Sequence, residues 1–252
     1  MEHVSKSYGA RRVLDDCNLE VREGEVMVVI GASGVGKSTL LRLIIGLDRP
    51  DTGRVLVGEQ VVHGLRPKQL RRLRRWMGYL FQFGALINWL TLRQNVALPL
   101  QENKQLPRDR IDAKVTQTLA LVGLAGKGPL MPDQLSGGMR KRGGLARCLV
   151  TDPKIILYDE PTTGLDPVTA HVIDRIILDL QRRLGVTSVV VSHDMEGAFR
   201  VADRIAMLHE GRILAIGTPE EIRASSDPVV QQFVTGSLEG PLADFSRKES
   251  EP

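Results

Sequence analysis

No stretch of this 252-residue chain approaches the roughly 18 consecutive apolar residues that a membrane-crossing helix needs. The N-terminus, MEHVSKSYG, has no apolar signal core. The expectation is a chain that stays in the cytoplasm and reaches a membrane only through a partner. Cysteine is scarce. Cys17 and Cys148 stand far apart, with no further ligand at metal spacing. That argues against a disulfide framework and fits a reducing compartment with two buried, inert thiols. There is no heptad run and no internal repeat. One-sided charge is lacking too: the net charge of +4 does not by itself imply nucleic acid. Most of the excess lies in residues 66–75, RPKQLRRLRR. That run suits anionic lipid or nucleic acid, but the favoured reading is a solvated helix face with Leu70 and Leu73 on its apolar side.

What is present is enough apolar residue, 42%, for a core that needs no staples. Residues 26–30 (VMVVI) form a short apolar run bounded by glycines, the pattern of a buried parallel strand. Further strands are expected at 77–81, 155–158 and 188–191, with a hairpin of 204–208 and 212–216 across Glu210-Gly211. Helices are expected at 38–45, at 108–122 with Ile111, Val115, Leu119 and Val122 on one side, and at 167–184 with proline in its first turn. Strands alternating with helices imply an α/β fold with a mostly parallel sheet. Residues 1–83 and 151–225 read as the sheet core and 84–150 as an inserted helical subdomain. Residues 226–252 read as a C-terminal helical extension, its polar end SRKESEP frayed.

The chemistry-bearing segment is GASGVGKST: Gly31, Ala32, Ser33, Gly34, Val35, Gly36, Lys37, Ser38 and Thr39. It matches G-x-x-x-x-G-K-[ST] between a strand and a helix. Its glycines let backbone N–H groups converge on phosphate, and the following helix adds its positive end. Lys37 would sit between β- and γ-phosphates, and Ser38 offers a hydroxyl to Mg²⁺. Asp159 and Glu160 end the strand IILY. The first is suited to hold Mg²⁺ through water, the second to orient or deprotonate the attacking water.

At residues 135–139 the chain reads LSGGM, and here it resembles the ABC ATPase family of phosphate-loop NTPases. Ser136, Gly137 and Gly138 open a helix whose hydroxyl and N–H groups suit a γ-phosphate. The resemblance implies that this grip comes from the opposite chain of a homodimer, with two ATP molecules sandwiched between. It also implies roles for Tyr8 (stacking on adenine), Gln82 (Mg²⁺ and attacking water), Asp166 in Gly164-Leu165-Asp166 (the loop crossing the dimer interface) and His193 (γ-phosphate sensing). It covers residues 3 to about 225.

Three stretches, FQFGALINWLTLRQNVALPL, GGMRKR and DPVVQQFVTGSLEGP, resemble the ATPases of MCE-type, Mla-like lipid transporters of Gram-negative bacteria. That resemblance implies a peripheral subunit on the cytoplasmic face of the inner membrane. Its partners would be a permease, a periplasmic MCE lipid-binding protein and a small STAS-domain subunit, with phospholipid or another hydrophobic molecule as cargo. The permease would dock near residues 82–100, where Phe83, Leu86, Ile87, Trp89 and Leu90 read equally as interface or as core. The tail, residues 229–241, is expected to brace the dimer. Alternatives are an importer ATPase for another small solute and a non-transport ABC protein acting on nucleic acid. A single cassette without a coiled-coil insertion argues against the last. Two features depart from the family pattern. Only seven residues precede Tyr8, leaving the opening strand nearly absent. Gly143 and Gly144 lie inside an expected helix, at about 0.5–1 kcal/mol each, which would reduce activity unless close packing requires them.

Overall fold

A computed structural model describes residues 1–103 and 106–242. Strand β1 (Glu2–Tyr8) pairs antiparallel with β2 (Arg11–Cys17). The opening strand expected to be nearly absent is thus seven residues long and fills the space before the turn. It forms because Val4 lies opposite Cys17, both fully buried, and because the Met1 amino group donates to Leu19 O at 2.7 Å.

Strand β3 (Val26–Ile30) is buried at every position, as its unbroken apolar run requires. Helix α1 (Lys37–Ile44) leaves the glycine-rich loop that follows. β4 (Thr52–Arg54) joins the outer edge of β1, and β5 (Leu56–Val57) with β6 (Gln60–Val61) makes a small ribbon. The basic run becomes α2 (Pro67–Arg74), with Leu73 buried and Arg66, Lys68, Arg71 and Arg72 exposed. Arg74 turns inward and donates to Ile45 O (2.9 Å) and Gly46 O (2.7 Å), satisfying carbonyls at the end of α1.

After β7 (Met77–Leu80) come three helices, α3 (Leu92–Asn103), α4 (Arg108–Leu121) and α5 (Gly137–Leu149). Leu92 and Val96, Val115 and Leu119, and Leu145 and Ala146 bring their apolar faces into one core. The chain then alternates: β8 (Ile155–Asp159), α6 (Pro167–Leu184), β9 (Thr187–Ser192), α7 (Met195–Val201). The hairpin β10 (Arg204–His209) and β11 (Arg212–Gly217) follows, then α8 (Pro219–Arg223) and α9 (Pro228–Thr235).

The main sheet has the order β11-β10-β3-β9-β8-β7, parallel except for β11. Val26, Val28 and Ile30 face the core shared with the helices, and Met27 and Val29 face the core under α1. Because β3, β9 and β8 lie side by side and run the same way, their carboxyl ends converge. Ligands of open parallel sheets bind at such an end.

The glycine pair in α5 is a packing requirement. A Cβ on Gly144 would lie 2.6 Å from Gly84 O, and one on Gly143 would lie 2.7 Å from Leu92 Cδ1. The helix backbone rests on the loop after β7, and alanine there displaces that loop. Gly144→Ala is therefore expected to lower Tm by several degrees, despite about 1 kcal/mol of helix propensity gained, because overpacking costs about 1–3 kcal/mol. Thermal unfolding of the variant beside the parent checks this; a raised Tm would remove the packing argument.

In the C-terminal extension Val230 is fully buried and Val229 and Phe233 pack on the chain's own core. Gln232 Oε1 accepts from Leu242 N (2.6 Å), folding the next segment back. The frayed end expected at SRKESEP lies outside the described residues.

Candidate functional site

The glycine-rich loop owes its shape to positions that exclude a side chain. Gly31 (φ 152°) and Gly36 (φ 115°) lie where L residues are strained. A Cβ on Gly31 would run into Leu208 O, and one on Gly36 would lie 2.9 Å from Val13 Cγ1. The loop wraps Lys37, which is 6% exposed and donates from Nζ to Gly31 O (2.8 Å) and Ala32 O (3.1 Å). Its third neighbour is Glu160 Oε1 at 3.6 Å. Burial lowers the Lys37 pKa, and the carboxylate opposes that shift. α1 starts at Lys37, so its unpaired N–H groups face the loop.

At the end of β8, Asp159 is held by two hydroxyls. Ser38 Oγ donates to Oδ1 (2.8 Å) and Tyr79 OH to Oδ2 (2.9 Å). Tyr79, on the neighbouring β7, is half-buried; burial raises its pKa, with the Asp159 charge adding to the shift. The hydroxyl therefore stays protonated and remains a donor. Glu160 sits at φ 50°, the left-handed region. Its Oε2 accepts from Thr163 Oγ1 (2.8 Å) and from His193 Nδ1–H (2.6 Å), the donor on the ring assigned because an ionised carboxylate only accepts. Three adjacent strand ends thus bring Lys37, Ser38, Asp159, Glu160 and His193 into one cluster. An open cleft of about 850 Å³ runs from Gly31, Ala32 and Ser33 past His193 to Gln232 and Leu238.

The other expected residues lie on other segments of the chain. Gln82 is half-buried in the turn after β7. Tyr8 is 43% exposed; its hydroxyl donates to Asp48 Oδ2 (2.5 Å) and Lys6 Nζ lies 5.4 Å from its ring centre. Ser136 caps α5, accepting from Met139 N (3.2 Å), and with Gly137 it is exposed. Gly138 is buried against Thr169. Asp166 caps α6 through Thr169 N (3.0 Å) and Thr169 Oγ1 (2.6 Å). Two contributors escape motif reading, Tyr79 and Lys141. The second had a signal: it occupies the buried stripe Gly138, Lys141, Leu145, Cys148 of α5, where an apolar residue belongs.

Residues 14–163 match the family profile described as "ABC transporter". The chain is 40% identical over 242 residues to the intermembrane phospholipid transport system ATP-binding protein MlaF of Escherichia coli (strain K12), covering 96% of this chain and 90% of that one. It is 39% identical over 246 residues to the "Probable ribonucleotide transport ATP-binding protein mkl" of Mycobacterium tuberculosis, covering 98% of this chain and 68% of that one. Among solved structures it is similar to the dimeric post-hydrolysis state of the ATP-binding cassette MJ0796 bound to ADP and Pi. That match has a TM-score of 0.80 and 34% identity, over 86% of this chain and 97% of that one. The chain belongs to the ABC transporter family, as one of its ATP-binding, ATP-hydrolysing cassettes.

Proposed function

We propose that two copies of this chain hydrolyse Mg²⁺-ATP at two shared sites and drive a permease that moves phospholipid or another hydrophobic molecule between bacterial membranes. The observation that carries the cargo is the 40% identity to MlaF along 96% of the chain. The chain works on the cytoplasmic face of the inner membrane, with a periplasmic MCE protein and a small STAS-domain subunit as further partners.

In this reading Gly31 to Thr39 wrap the phosphates and Lys37 reaches the β- and γ-phosphates. Tyr8 offers its ring to adenine. Exposed Ser136 and Gly137, with the Gly138 amide, close on the γ-phosphate of the partner's nucleotide, beside Asp166. Glu160 takes a proton from the attacking water, and its bond from His193 keeps the carboxylate aimed. Gln82 and His193 sense the γ-phosphate. Ser38 Oγ and Asp159 Oδ1, 2.8 Å apart, fit a small hard cation that draws its other oxygens from phosphate and water. Bound there, Mg²⁺ would neutralise charge developing on the phosphoryl oxygens.

Phe83 and Trp89 are 80% and 79% exposed, while Leu86 packs on the core. The apolar cluster thus divides, and the two exposed aromatics are the docking candidates. Phe83→Ala with Trp89→Ala is expected to cost about 2 kcal/mol or more of permease binding and to leave the isolated chain's hydrolysis unchanged. Pull-down of the permease beside a phosphate-release assay checks both halves.

The test of the whole reading is co-purification. The tagged chain is extracted from membranes in mild detergent and its bound proteins and lipids are identified. A permease, an MCE protein and phospholipid support it. A permease with a receptor for a water-soluble solute, as the name of the mkl relative would favour, keeps the ATPase and overturns the cargo.

A further inference from the structure

Lys141 is 5% exposed on a helix stripe that is otherwise apolar. Its Nζ donates to Glu160 O (3.2 Å) and Thr163 O (2.5 Å), the two carbonyls that bracket the turn leading from Glu160 to Gly164. Neither partner is a carboxylate. Burial presses its pKa down to about 8 against the opposing pull of Glu160. A methionine would fill the same space without desolvating an amine, so this lysine is an expensive way to pack a helix.

What it holds is a strained peptide. Glu160 at φ 50° occupies a region that costs a non-glycine residue about 1–3 kcal/mol and persists only where its surroundings impose it. Glu160 N donates to Val191 O (3.0 Å), and Thr163 N reaches Glu160 O at 3.4 Å. Lys141 supplies the shorter bond to that carbonyl, and it comes from another element. The start of the same helix, about one turn before Lys141, carries Ser136 and Gly137, both exposed, and Gly138, backed directly onto Thr169 at the start of α6. Lys141 thus joins the first turns of α5 to the Glu160 peptide.

We propose that Lys141 is a positioning residue that couples the two nucleotide sites of the dimer. When Ser136, Gly137 and Gly138 of one chain grip the partner's nucleotide, Lys141 sets the orientation of that chain's Glu160 over its own nucleotide. The inference rests on the reading of Glu160 as the hydrolytic carboxylate.

The test uses the full chain, with steady-state hydrolysis against ATP concentration and separate binding of a fluorescent ATP analogue. Lys141→Met is expected to lose about tenfold or more in kcat. Nucleotide affinity should stay within about twofold, and the Hill coefficient should fall to about 1 from a higher value in the parent. Lys141→Gln, which keeps an N–H donor, is expected to recover part of both. A kcat within about twofold of the parent, or a loss matched by an equal loss of affinity with the Hill coefficient unchanged, overturns the proposal. Should Lys141→Met not fold, Lys141→Ala with added propylammonium replaces it: restored hydrolysis supports the coupling and no response overturns it. Glu160→Gln separates the two levels. Hydrolysis that survives it removes the premise; a dead Glu160→Gln beside an unaffected Lys141→Met removes only the coupling.

Discussion

Glu160→Gln is expected to cut kcat by about 10²–10⁴-fold, the range that a positioned general base contributes, while ATP still binds. The substitution is nearly isosteric, so Thr163 Oγ1 and the Lys141 bond to the backbone carbonyl keep the turn in place. What is lost is the basicity that takes the proton; the oxygen that Thr163 Oγ1 and His193 Nδ1 share can remain an accepting amide oxygen. Nucleotide contacts from the phosphate loop are untouched, so binding and hydrolysis should separate. Phosphate release and fluorescent-nucleotide binding on one preparation measure the two. Equal losses in both would mean that Glu160 serves binding, not chemistry.

Lys37→Met is expected to have the opposite signature, weakening ATP binding by about 10²-fold or more, since each charge-assisted hydrogen bond it makes to phosphate contributes about 1.5–3 kcal/mol. The ammonium is already aimed: two loop carbonyls, Gly31 O and Ala32 O, hold it in a fixed buried position. The preorganisation means that little ordering is left to accomplish when phosphate arrives. The variant also leaves Glu160 Oε1 without its cation 3.6 Å away, so a modest loss of stability should accompany the loss of affinity. Nucleotide titration by fluorescence, with Tm recorded in parallel, checks both. Undiminished affinity would contradict the phosphate role.

Local patterns with one physical cause were readable from the residues alone. The unbroken apolar run 26–30 is β3, and the proline-started, glycine-stopped segment 167–184 is α6, each with the expected ends. The convergence of Lys37, Ser38, Asp159, Glu160 and His193 follows from the same strand ends. The features that escaped depend on tertiary neighbours. Gly143 and Gly144 look costly until the Gly84 backbone and Leu92 are seen against them. The opening strand looks too short until β2 and β4 flank it. Tyr79 reaches Asp159 only because β7 lies beside β8 in register. Lys141 finds Glu160 through a helix packed across the sheet. Ser136 and Gly137 are exposed at the start of α5, and the role proposed for them needs a second copy of the chain.

ATP-dependent cross-linking reads out directly whether each nucleotide site is shared between two chains. Ser33→Cys combined with Ser136→Cys puts one thiol on the phosphate loop and one at the start of α5, both at exposed positions. The native thiols do not interfere: Cys17 and Cys148 are buried, which pushes them up to about 11 and about 12. Oxidation in the presence of Mg²⁺-ATP is expected to join two 27.8 kDa chains into a covalent dimer, which fades when nucleotide is omitted. A chain that hydrolyses ATP yet stays uncross-linked under those conditions would contradict the shared site.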